Sequence, residues 1–214
     1  MSQQTSDTSK IILRGRLSFP NLFKPRANEN DEGEQTEPKY GCTILLDKEQ
    51  DKASLDEAKK IISRVAAEAW PGKEVKLKTG QKLTSGNEKV MLLGICLRDG
   101  TEKDDKEGYG DGVMFVSASS KRKPEVVQKV NGKIVPLAED SGKPYAGCYV
   151  AASVRFWAQD NKFGKRINAE LRAVCFLKDG DAFGSAPVNV EEEFGDVEDS
   201  EASSKETPTE AEGW

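Results

Sequence analysis

Tyr149-Val150-Ala151-Ala152-Ser153-Val154-Arg155-Phe156-Trp157-Ala158 decides how this chain folds. Counted in twos, Val150, Ala152, Val154 and Phe156 share one face, and Ala151, Ser153, Arg155 and Trp157 share the other. The first face is wholly apolar and belongs against a core. The second sets a cation and an indole beside small residues. Gln159-Asp160-Asn161-Lys162-Phe163-Gly164-Lys165-Arg166 follows, its Asn and Gly residues signalling a hairpin tip, and Ile167–Leu177 returns as the partner strand.

Outward from this hairpin the period of two recurs. Lys10–Phe19 sets Ile11, Leu13, Leu17 and Phe19 against Ile12, Arg14, Arg16 and Ser18, and Pro20 is expected to end the strand. Residues 21–38 are polar, with Gly33 and two prolines, and read as a mobile loop. Tyr40–Leu46 and Val90–Leu97 are short apolar runs expected as strands. Val113–Ser119 is a further strand, with Val113, Phe115, Ser117 and Ser119 on one face and Met114, Val116 and Ala118 on the other. Residues 99–112 are rich in Gly and charge and read as a loop. Residues 121–143 read as a long connection with a short strand at Lys133–Leu137.

One helix is expected, opened by Ser54 as N-cap with Glu57 completing a capping box. Leu55, Ala58, Ile61, Ile62, Val65 and Ala69 form its buried stripe, Lys59, Lys60 and Arg64 lie outside, and Pro71-Gly72 stops it. The fold class is therefore mainly β: an OB-fold-like barrel of five to six strands with one helix, long loops and a disordered acidic C-terminal tail. The expected divisions are a disordered start at 1–9, a barrel domain at 10–186 and a disordered tail at 187–214.

The charge is divided unevenly. Glu191–Trp214 carries ten carboxylates (Glu191, Glu192, Glu193, Asp196, Glu198, Asp199, Glu201, Glu206, Glu210 and Glu212) against Lys205, and closes on Trp214. The whole chain is −5, yet residues 1–190 hold 31 basic against 27 acidic side chains, a net of +4. A basic body tethered to its own polyanion fits a protein whose cationic surface meets phosphates and whose tail occupies that surface until nucleic acid displaces it.

Other classes fit poorly. The chain has no histidine, which removes the usual catalytic triads and the common general base near neutral pH. Cys42, Cys96, Cys148 and Cys175 lie far apart in apolar runs and read as buried reduced thiols, so neither a metal site nor a cofactor is expected. No Walker loop, recognition helix or C₂H₂ spacing occurs. Met1–Ser9 lacks the regions of a signal peptide, and no apolar run approaches bilayer length. The expectation is a soluble cytoplasmic protein, without enzymatic activity and without membrane contact.

Single strands are held where cations that track phosphates meet rings on which bases stack. The candidates are Arg155 and Trp157, Phe115 with the Lys121-Arg122-Lys123 cluster, and Lys162, Phe163, Lys165 and Arg166 around the hairpin tip. Arg14 and Arg16 add a strip on the first strand, and Tyr109 adds a ring between glycines. Against each stands a plainer role: Trp157 covering a second apolar cluster, or Lys121–Lys123 as a solvated turn. An acidic-tailed chaperone or adaptor is the rival reading. A carboxylate–metal nuclease would need clustered acids that the chain does not offer.

Tyr40-Gly41-Cys42-Thr43, Lys123-Pro124-Glu125-Val126-Val127 and Tyr145-Ala146-Gly147-Cys148-Tyr149-Val150, in that order, resemble segments of a widespread phage family of single-stranded DNA-binding proteins. That family is related to the T7 type, an OB-like body with an acidic tail ending in an aromatic residue. The Lys178-Asp179-Gly180-Asp181 turn is similar too. Two departures stand out: Lys123 replaces the family's arginine, and Trp214 takes the place of a terminal Phe. The resemblance implies coating of single-stranded DNA in phage replication, recombination and repair within the bacterial host. It also implies a tail, with Glu191, Glu192, Glu193, Asp196, Glu198, Asp199, Glu210, Glu212 and Trp214, that contacts replication proteins such as polymerase, helicase, primase or nuclease. A homodimer is left open.

Overall fold

The structure, a computed structural model, describes residues 8–27, 33 and 35–184. The strands are β1 (Lys10–Arg26), β2 (Lys39–Asp47), β3 (Lys73–Leu77), β4 (Glu88–Leu92), β5 (Gly94–Ile95), β6 (Leu97–Asp99), β7 (Val113–Ser120), β8 (Glu125–Val130), β9 (Lys133–Pro136), β10 (Tyr149–Asn161) and β11 (Gly164–Lys178). Among the described residues there is one α-helix, α1 (Lys52–Ala69). It is not long and apolar enough to cross a membrane. The expected tail disorder, and every tail residue named above, lie outside the described residues.

Five strands close a barrel in the order β7-β2-β1-β10-β11, and a short parallel pairing of β11 with β7 (Ala169↔Ala118, Glu170↔Ser119) joins its ends. The interior follows from alternation: Val150, Ala152, Val154 and Phe156 of β10 are all buried, facing Ile11, Leu13 and Leu17 of β1 and Ile167, Ala169 and Leu171 of β11. Each such aliphatic or aromatic side chain contributes about 1.5–3 kcal/mol when removed from water.

β1 is longer than the sequence predicts. Its first half pairs with β10 and its second with β2, and Arg16 is the shared position, opposite both Tyr149 and Leu45. Gly15 lies at the crossing, where an added Cβ would sit 2.1 Å from the Leu45 carbonyl oxygen. Pro20 does not end the strand. A register shift between Ser18 and Asn21 takes Pro20 out of the ladder, where its missing N–H costs nothing. Residues 21–26, expected as loop, are therefore strand. The irregularity also turns Phe19 out to solvent, while Ser18, opposite Thr43 on the outer face, is buried beneath Tyr109.

α1 packs on β10, β11 and β3 through Leu55, Ala58, Ile61, Ile62, Val65 and Ala66. Ala69 is exposed and Ala66 takes its place in the stripe. The helix starts before Ser54, at Lys52, with Asp51 as N-cap. The Asp51 carboxylate accepts the Asp47 amide at 2.9 Å rather than capping the helix. Trp70 anchors the other end, donating Nε1–H to Asp160 at 2.8 Å. Thr8 and Ser9, expected to be disordered, form a turn, and the Ser9 carbonyl accepts the Phe156 amide at 3.0 Å.

The expected strand over Val90–Leu97 is broken into β4, β5 and β6, because the chain crosses from β11 to β7 there. Between Ser120 and Lys143 lies a hairpin, β8–β9, turned by Asn131 and Gly132, both with positive φ. Cys42, Cys96 and Cys148 are buried, and burial pushes the thiols of Cys42 and Cys96 up to about 12, so they stay protonated.

Candidate nucleic-acid interface

The outer face of β2 and β7 grades from bulky to small. Opposed pairs run Leu45↔Phe115, Thr43↔Ser117 and Gly41↔Ser119. The last two pairs form a floor of short side chains, of which Thr43 is itself buried, and Thr43 Oγ1 meets Ser117 Oγ at 3.4 Å. Across the barrel seam the floor continues onto β11 and β10, where Asn168 lies opposite Trp157 and Glu170 opposite Arg155.

Three clefts meet over Ser117 and Ser119. The first, about 570 Å³, is walled by Phe19, Arg26, Lys39, Tyr40 and Lys103. The second, about 470 Å³, is walled by Lys121, Arg122, Arg155, Trp157 and Asn168. A third, about 660 Å³, runs under β5 and β6 past Arg98, Arg166 and Asn168. Lys39 is common to the first two, so they form one groove.

At the first end, three rings are clustered. Tyr109 lies with its centroid 6.3 Å from Phe19 and edge-on to Phe115 at 5.3 Å, and its hydroxyl donates to Ser18 Oγ at 3.3 Å. Burial raises the Tyr109 pKa. The Lys103 ammonium lies 4.9, 5.7 and 5.4 Å from the centroids of Phe19, Tyr109 and Phe115. Desolvation, then the nearby Arg98 charge, lowers its pKa.

At the second end, cations are paired with acids. Arg155 meets Glu170 at 2.8 Å, Arg122 meets the same carboxylate at 3.4 Å, and Lys121 meets Glu37 at 2.5 Å. The Arg122 side chain is 88% exposed, while the buried Arg155 Nε has no hydrogen-bond partner among the described residues. Trp157 is 41% exposed and faces this end of the groove.

The sequence candidates separate accordingly. Lys121, Arg122, Arg155 and Trp157 come together in the second cleft, and Arg166 lines the third. Phe115, expected on the exposed face, is fully buried because Tyr109 and the Arg98 guanidinium cover it. Tyr109 is half-buried inside the ring cluster instead of free between glycines. Lys123 leaves the groove and lies 5.8 Å from the Phe23 ring.

Arg16 is engaged elsewhere. Its Nε donates to the Gly147 carbonyl at 3.1 Å and its Nη2 to that of Asp181 at 2.6 Å, with Phe183 beneath it at 4.3 Å. Arg14 is exposed in a separate cleft shared with Arg16, Tyr149 and Lys178.

The eight-residue tip is mostly strand, and only Lys162 and Phe163 form the turn. Phe163 is 68% exposed with the Lys162 ammonium 5.0 Å from its ring. Lys165 falls on the opposite face from Arg166, pairs with Asp160 and lies over Trp70.

Phe19, Lys39, Lys103, Asn168 and Glu170 line the groove without having been singled out from sequence. Parity places Phe19 on the inward face, and only the Phe19-Pro20 pair hints at a break. Lys103 had no signal beyond lying in a charged loop.

The family model described as Enterobacter phage Enc34, ssDNA-binding protein, matches residues 8–204 of this chain. Protein p50 of Acyrthosiphon pisum secondary endosymbiont phage 1 is 36% identical over 189 residues, covering 88% of this chain and 94% of that protein. The single-stranded DNA-binding protein from bacteriophage Enc34 in complex with ssDNA superposes with a TM-score of 0.64 at 26% identity, covering 86% of this chain and 97% of that one. A second structure of the single-stranded DNA-binding protein from bacteriophage Enc34 gives 0.61 at 25% identity, covering 90% and 97%.

Proposed function

Because this chain belongs to the family of the Enterobacter phage Enc34 ssDNA-binding protein, we propose that it holds single-stranded DNA, without regard to base sequence, in the groove over β2 and β7. One observation carries this reading: the outer face of that strand pair, the oligonucleotide face of OB-like barrels, is cleared to Gly41, Thr43, Ser117 and Ser119 and rimmed by Trp157 and the cations Lys39, Lys121 and Arg122. Bases stack on the indole while phosphates exchange with Glu37 and Glu170 for the cations. The hairpin tip, with Lys162 and Phe163, and Arg166 extend the same surface.

The finer reading is a non-enzymatic coat for single strands in phage DNA replication, recombination and repair, acting in the bacterial cytoplasm. Residues 10–186 bind, and the acidic residues 187–214 compete for the groove and recruit replication proteins. Deleting the residues after Val190 should then tighten binding at low salt. Weaker binding by the truncated chain would remove the competition mechanism.

Titration of intrinsic fluorescence with oligo-dT at two salt concentrations tests the groove. The wild type should be quenched, with affinity falling steeply as salt rises. Trp157→Ala should lose most of the quench and bind on the order of 10- to 100-fold more weakly, the cost of one base–aromatic stack. A protein that ignored oligo-dT in dilute buffer would overturn the proposal.

A further inference from the structure

Phe19 departs from the rule of its own strand. Its φ is +47°, a left-handed conformation that is costly for a bulky residue with a Cβ. Extended geometry would have continued the inward face of Ile11, Leu13 and Leu17. The turn instead throws the ring outward, where it is 45% exposed. Strained positions of this kind cluster at functional sites, and three further observations point the same way here.

First, the ring is supported from the side. Tyr109 meets it in a tilted contact at 6.3 Å and is itself held edge-on by fully buried Phe115, so the ring has packed neighbours before any ligand arrives. Second, Lys103 stands beside the exposed ring and makes no ion pair with a carboxylate among the described residues. Its partial desolvation disfavours the charge it carries, so an incoming anion would relieve that. Third, both residues wall the cleft that shares Lys39, Ser117 and Ser119 with the Trp157 cleft.

We propose that Phe19 and Lys103 form a nucleotide subsite at the end of the groove remote from Trp157, with a base lying flat on the Phe19 ring and its phosphate meeting the Lys103 ammonium. The inference rests on the single-stranded DNA reading above and adds a second stacking platform to it.

The test uses the full chain and labelled oligo-dT. Phe19→Ala should bind about tenfold more weakly with the slope of log affinity against log salt unchanged. Phe19→Leu, which keeps apolar bulk over Tyr109 but has no π face, should be as weak as Phe19→Ala. Phe19→Trp should bind like the wild type, with the added indole emission quenched by oligo-dT. Lys103→Gln should bind more weakly and lower the salt slope by about 0.7, the share of one phosphate on a single strand. Wild-type affinity in Phe19→Leu or in Phe19→Ala would overturn the subsite, because the ring would then serve packing alone. A wild-type chain without affinity for oligo-dT would instead overturn the reading of the whole groove.

Discussion

The two ends of the groove hold their cations in opposite ways. Beside Phe19, the Lys103 ammonium is lodged among three rings and meets no acid within ion-pair distance among the described residues. Beside Trp157, Arg155 and Arg122 share Glu170, and Lys121 is held by Glu37. A phosphate reaching the first end gains a charge that no described carboxylate pairs directly, though Asp105 and Glu102 lie near enough to act on it. At the second end it must displace a carboxylate, so the net gain is smaller. The ring end should therefore supply the larger, preformed share of phosphate affinity, and the ion-paired end a smaller share that grows when its carboxylates are removed.

The largest effect should come from removing the foundation of the ring end. Phe115 is fully buried beneath Tyr109, and Phe115→Ala should cost about 3–5 kcal/mol of folding stability in a urea melt. A loss below about 1 kcal/mol would mean that Phe115 is not an anchor, and the contrast between the ends would fail.

A smaller effect sharpens the contrast. Glu170→Gln frees Arg155 and Arg122 while keeping the shape of the side chain, so oligo-dT affinity should rise by about three- to tenfold. The salt slope should also steepen, by about 0.7 for each phosphate newly engaged. If Glu170→Gln weakened binding, Glu170 would be a positioner of Arg155 and the two ends would not differ in the way described.

The smallest effect concerns the turn that carries Lys103. Asp99 accepts from the Thr101 amide at 3.0 Å and from Lys48 at 2.8 Å, capping the 3₁₀ turn Gly100–Lys103. The Lys48 hydrogen bond first, and then the Thr101 amide, hold its carboxyl down to about 2. Since the folded value lies below the unfolded one, near 4, the contribution of Asp99 is complete above about pH 4 and disappears as pH falls through about 2. The stability difference between wild type and Asp99→Asn should stay within about 1 kcal/mol, since the pair is open to solvent. It should shrink over that acid window. A difference that persisted at pH 2 would assign the effect to something other than the charge.

Local period was enough to read β10, where Val150 to Trp157 alternates as the barrel requires, and the stripe of α1 from Leu55 to Val65. It brought Trp157 and Arg155 to the outer face because the bulge at Ser153/Val154 places its extra residue, Arg172, on β11, while β10 itself alternates without a break against β1. Phe19 was misplaced because one register shift inverts parity, and nothing local except Pro20 announces it. Phe115 kept its face and lost its exposure, since the ring that covers it comes from six residues upstream in a turn-rich loop. Charge alone assigns Arg16 to phosphate, but its donors are taken by carbonyls more than 130 positions away. Contacts of that range leave no periodic trace.

The central claim is a single strand lying from Phe19 to Trp157 across the β2–β7 face. Photocrosslinking of the full chain to oligonucleotides carrying 5-iodouracil, followed by peptide mapping, tests it most directly. The account predicts adducts at Trp157 and at Phe19 or its neighbour Tyr40. Adducts confined to the Arg14 cleft or to the β8–β9 hairpin, with none along the groove, would contradict it.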